Sequence, residues 1–187
     1  RWTARDDAAR AGWSLLAWAV LADDEAATRA LLALPSARRE VDRPQPGRPE
    51  WFVQPGMTSL HLAMAYACPA IVAALLDRGA DSRAVSAHGG SPLFGAACFG
   101  RTENVLLWYA RFPGYKIRRE YDIGAVPLDG AFDFGPNKLA TARVLIAHGA
   151  DVADVADLGC TPLMFAAGNE DASPEWIRFV CGELRRK

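Results

Sequence analysis

Three histidines, four cysteines and two nearby aspartates are the side chains best suited to chemistry, and their spacing decides what they can do. His61, His88 and His148 stand far apart in the chain. None has a cysteine or carboxylate at metal-ligand spacing, so no metal site is expected. Cys68, Cys98, Cys160 and Cys181 contain no C-x-x-C pair. They read as scattered free thiols of a reducing compartment rather than as a disulfide framework. Asp129 and Asp133 are four residues apart and would share a helix face, but general acid–base work needs a nucleophile or third ligand beside them. Gly89-Gly90-Ser91 lacks the lysine and spacing of a phosphate loop. The expectation is no catalytic residue, no cofactor and no enzyme within this chain.

The elements that carry these residues repeat. In Gly56–Gly90, Thr58 precedes an apolar run of Leu60, Leu62, Ala63, Met64 and Ala65, and a threonine hydroxyl can accept the unpaired amides of a helix start. A second run, Ile71 to Leu76, follows Pro69, which is tolerated in a first turn. Gly79 then closes the helix, because glycine takes the left-handed backbone without a Cβ clash. Asp81 and its neighbours suit a β-turn or short hairpin. Ser91-Pro92-Leu93 repeats Thr58-Ser59-Leu60 after 33 residues, and Val126-Pro127-Leu128 and Thr161-Pro162-Leu163 follow at 35 each. Trp13-Ser14-Leu15 starts a weaker copy 45 residues upstream of Thr58. Gly79-Ala80-Asp81 recurs as Gly149-Ala150-Asp151, each with a further glycine ten residues on, Gly89 and Gly159. A period in this range points to a solenoid.

Thr58-Ser-Leu-His-Leu-Ala63, Leu75-Leu76 and Gly79-Ala80-Asp81 together resemble an ankyrin repeat, with its TPLHxA start, paired leucines and GAD ending. The resemblance covers most of Trp13 to Leu184. It implies an all-α ankyrin-repeat solenoid of stacked helix-turn-helix units with projecting β-turns or hairpins. A single domain, 1–187, would hold units near 12–40, 56–88, 89–123, 124–157 and 158–187, with insertions at 35–55 and 111–125. The motif histidine is present only as His61. Its counterparts are Phe94, Asp129 and Met164. By resemblance His61 is structural, bonding across to a neighbouring turn.

The departures from the pattern are informative. Residues 35–55 hold five prolines, which forbid a helix through them, and end in Trp51-Phe52-Val53. Trp13 and Trp18 leave the outer face of the first unit apolar by this reading. Residues 111–125 replace a GAD turn with the one basic and aromatic cluster, Arg111, Lys116, Arg118 and Arg119 among Phe112, Tyr115 and Tyr121. Glycines and proline in Asp129–Pro136 are expected to shorten the first helix of the fourth unit, with two residues inserted before the second. Ser173-Pro174-Glu175 reads as cap, first-turn proline and first-turn acid of the last helix.

In the 187 residues, 21 basic side chains meet 22 acidic ones, a net charge of −1. That balance favours neither nucleic acid nor an anionic membrane. No apolar run is long enough to span a bilayer. The apolar run from Trp13 to Ala22 meets Asp23, Asp24 and Glu25 and reads as a repeat helix rather than a signal peptide. An intracellular setting such as the cytoplasm follows from the thiols, with the organelle open. A start at Arg1 is compatible with a piece of a longer protein.

What the resemblance implies for function is non-catalytic recognition of protein partners by an adaptor or scaffold. An accessory subunit of a large assembly is the alternative, and the recognition domain of an enzyme whose catalytic part lies outside the chain is the second. Motif positions hold the stack, so contact falls to the variable ones. They are Trp51 and Phe52, Arg83, Val85 and His88, Arg111, Tyr115, Arg118 and Arg119, and Asp154 and Asp157.

Overall fold

A computed structural model describes residues 12–48, 52–121, 123–133, 139–169 and 173–186. Its regular elements are short α-helices, and their starts follow from local chemistry. Ser14 accepts the Ala17 amide ahead of α1 (Leu15–Leu21), and Asp24 accepts that of Ala27 ahead of α2 (Glu25–Ala33). A one-turn helix α3 (Ala37–Glu40) lies within the first insertion, between Pro35 and Pro44. Next come α4 (Ser59–Tyr66), started by a capping box between Thr58 and His61, and α5 (Pro69–Asp77), which opens on Pro69 in its first turn.

The ends are as regular as the starts. At α5 the amide of Gly79 bonds to Leu76 O and that of Ala80 to Leu75 O, with Gly79 at φ +90°, the six-to-one and five-to-two pattern of a Schellman closure. The same pair recurs at Gly149 and Ala150 on Ile146 and Leu145. After α1 the left-handed position holds Asp23, at φ +52°. A short polar side chain tolerates that conformation, and this one also accepts the Cys68 amide at 2.7 Å.

The chain divides into two compact units, Arg1–Pro92 and Leu93–Lys187. In the first, α1 packs on α4 and α2 on α5. Leu16, Ala17, Val20, Leu60, Leu62, Ile71, Val72 and Leu75 fill the interior between them. Trp13 and Trp18 are buried too, at 4% and 8% exposure, with their rings 5.7 Å apart. The expected apolar tryptophan face is therefore not there. The insertion folds back, with Arg48 over the Trp18 ring at 5.8 Å and Gln45 accepting the Ser14 amide at 2.9 Å. Leu15 and Leu34 are what remains open on that pair.

The second unit holds α6 (Pro92–Cys98), α7 (Thr102–Arg111), α8 (Pro127–Asp133), α9 (Leu139–Ala147), α10 (Pro162–Gly168) and α11 (Pro174–Leu184). α7 packs on α9, and α8 packs on both α9 and α10. A Thr102–Thr141 hydroxyl pair at 2.7 Å joins α7 to α9, and Phe132 meets Trp176 edge-on at 5.7 Å. Helix α8 is not shortened. It has seven residues, as α6 and α10 have, because Gly130 is a packing residue: a Cβ there would lie 2.7 Å from Cys98 Sγ and 3.0 Å from the Phe94 ring. The expected two-residue insertion between α8 and α9 lies outside the described residues. Ser173 caps α11 with Pro174 and Glu175 in its first turn.

Candidate interaction surface

Two hairpins and the turns they touch carry most of the residues expected to meet a partner. The first is closed by a bridge between Arg48 and Val53, with N–H to O distances of 2.7 and 3.1 Å. Gln45, 2% exposed, anchors its base by exchanging backbone bonds with Gly56 and Met57. The second hairpin is bridged between Glu120 and Ala125. Both dock on the next turn in the same way. Pro55 O, three residues before Thr58, accepts the Ala87 amide, four before Ser91, at 2.8 Å. Ile123 O, three before Val126, accepts the Asp157 amide, four before Thr161, also at 2.8 Å. Glycine is required at both joints: a Cβ on Gly56 would lie 2.9 Å from Ala87 N, and one on Gly124 2.6 Å from the Asp157 carboxyl, both at positive φ.

Phe52 stands 62% exposed on the first hairpin, in a left-handed backbone of φ +55° that a bulky residue seldom adopts. Trp51 lies outside the described residues. The turn beside this hairpin bonds Ser86 Oγ to Gln54 Oε1 at 2.7 Å and leaves Arg83, Val85 and His88 exposed. Val155 occupies the place of Val85, six residues before the next cap, and the two are 45% and 58% exposed.

Around the second hairpin the expected contact residues bind one another. Arg119 reaches Asp154 at 2.7 Å and Asp157 at 3.1 Å, tying the hairpin to the turn. Tyr115 packs edge-on against Trp108 at 5.4 Å and against Tyr109 at 6.5 Å. Tyr109 also stacks on His148 at 3.9 Å. Burial, with Tyr115 adding to it, pushes the Tyr109 phenol up to about 12. Arg111 and Arg118 are exposed. The exposed apolar residues Ile123 and Leu158 belong to the same surface and were missed. Leu158 was the legible one, a large apolar side chain at a turn beside Gly159.

His61 is 2% exposed at the third position of α4. Its Nδ1 accepts the Thr58 amide at 3.1 Å, with Thr58 Oγ1 at 3.0 Å, and its Nε2 lies 3.1 Å from Gly90 O. A carbonyl only accepts, so Nε2 carries the proton. Burial lowers its pKa to about 4 against the opposing pull of the Gly90 bond and Asp81, so the ring is neutral and tied at both nitrogens. That is a structural histidine, not a general base. Among the described residues no three His, Cys, Asp or Glu side chains gather as a metal site, and Cys68, Cys98, Cys160 and Cys181 are not in disulfides. No helix among them is long and apolar enough to cross a membrane.

Short paired helices, with matching Schellman closures and turns after α5 and α9, define a helical repeat protein. Residues 55–84, the stretch containing Thr58, His61 and Gly79, match the family model of the ankyrin repeat. Repeats of this kind are in general protein-interaction modules and usually non-catalytic. No curated protein matches the chain.

Proposed function

We propose that the protein is a non-catalytic recognition module that binds protein partners through its hairpins and turn tips. The observation that carries this reading is the exposure of large apolar side chains at those tips: Phe52, Val85, Val155 and Leu158 are 62%, 58%, 45% and 72% exposed. Exposed apolar groups framed by charge are what partner surfaces offer. Specificity then comes from apolar anchors with charged neighbours such as Arg83 and Arg118. The thiols fit a reducing compartment such as the cytoplasm.

An accessory subunit of a large assembly is favoured by a different feature. A cleft of about 410 Å³ opens on the first helix pair between Trp13, Leu15, Leu31, Leu34 and Ala37, with Glu40 and Arg43 at its rim, and permanent interfaces are more apolar than transient ones. Affinity purification from the native source tests both readings. With the adaptor, partners are released by high salt and are lost when Val85→Glu and Val155→Glu are combined. A salt-resistant complex of fixed stoichiometry that survives this change but not Leu15→Asp favours the subunit. Identical recovery with every variant defeats the recognition surface altogether.

A further inference from the structure

The second hairpin begins with a stretch whose bonding is incomplete in one particular way. From Tyr115 to Arg119 the chain runs without helix, turn or bend. Exposure alternates along its first four residues, Tyr115 and Ile117 half-buried, Lys116 and Arg118 exposed, which is the period of a strand with one covered face. Both ends are fastened. Tyr115 donates its amide to Phe112 O and packs on Trp108, while Arg119 holds Asp154 and Asp157 and Glu120 bridges to Ala125. Between these anchors the backbone groups of residues 116–119 make no hydrogen bond among the described residues, and Lys116 and Arg118 make no ion pair.

We propose that Lys116–Arg119 receives an extended, acidic segment of a partner protein, which adds to it backbone to backbone and sets alternate carboxylates against Lys116 and Arg118. The inference rests on the recognition reading above and names the chemistry of one partner. Unpaired N–H and C=O groups along a fastened stretch are a template for strand addition. The two exposed cations, two residues apart and so on one side, select the sign of what is added. Arg119 does not compete, since two carboxylates already neutralise it. A nucleic acid could answer the charge but not the row of peptide groups, and the net charge of −1 does not draw one in.

The test is a titration of the full chain, observed through its backbone amide resonances, with an acetylated ten-residue peptide of alternating Glu and Thr. The amides of residues 115–120 should shift. Combining Lys116→Glu with Arg118→Glu should weaken binding about tenfold or more, as expected from two charge contacts, with the helical circular dichroism unchanged. N-methylation of alternate peptide residues should abolish binding although the charge is kept. No binding, equal binding by the charge-reversed variant, or indifference to N-methylation overturns the proposal. Ten-nucleotide oligo(dT) bound as tightly at the same amides overturns it in favour of nucleic acid. A native partner kept by the Lys116/Arg118 variant but lost by the Val85/Val155 variant overturns it alone and leaves the recognition reading standing.

Discussion

The third residue of a repeat's first helix is His61 in one region and Asp129 in another, and the two do different amounts of the same work. His61 accepts from the Thr58 amide and donates to Gly90 O, so it closes its helix start and also holds the turn leading to the next repeat. Asp129 accepts the Val126 amide at 2.9 Å and so closes its helix start, but a carboxylate has no proton to give a carbonyl. Capping can be satisfied by any short acceptor. Linking a helix to the following turn needs a side chain that accepts at one end and donates at the other, and neutral imidazole is such a group.

The comparison is broken most directly by His61→Ala. It leaves the Thr58 amide unpaired in a buried site, takes one of two bonds from the Gly90 carbonyl, which keeps the Ser86 amide at 2.9 Å, and opens a void. Urea unfolding should show a loss of about 3 kcal/mol. An effect below about 1 kcal/mol would mean the histidine is only a cap. The second effect is a pH dependence that only the histidine brings. Its pKa is about 4 in the folded chain against an ordinary 6.5, so the unfolded chain binds the proton more readily. His61 therefore supports the fold fully above pH 6.5 and loses that support as pH falls toward 4. The total is at most about 3 kcal/mol, at 1.36 kcal/mol per unit. Subtracting the same urea series for His61→Gln isolates it, and parallel curves for the two proteins would remove the claim. The smallest effect belongs to the other repeat. Asp129→Ala should cost about 1 kcal/mol, the worth of a cap. A loss as large as that of His61→Ala would show that the carboxylate does more than close its helix.

How much of this was legible depends on whether a residue acts within its own repeat. Thr58, Pro69, Gly79 and Ser173 were readable because caps and closures are local, set by two or three neighbours. So was the structural role of His61, through its resemblance to a known motif. Trp13 and Trp18 were not, since what buries them is an insertion some thirty residues on, returning through Gln45 and Arg48. Gly130 read as a helix weakener because its reason, the Cys98 sulfur and the Phe94 ring, belongs to another helix. Within the candidate surface, the list of exposed residues was largely readable from the turns. That Arg119, Asp154 and Asp157 spend their charges on each other was hidden, because a hairpin's docking register is invisible to spacing.

The Asp23 carboxyl accepts the amide of Cys68, and the Asp42 carboxyl accepts that of Asp81 at 2.8 Å. In both cases a proton of the second repeat is guarded by a carboxylate from the chain before it. Solvent reaches those two protons whenever Asp23 or Asp42 lets go, even while α4 and α5 stay intact. Their isotope exchange therefore reports how often those two carboxylates let go, read from residues that do not themselves unfold.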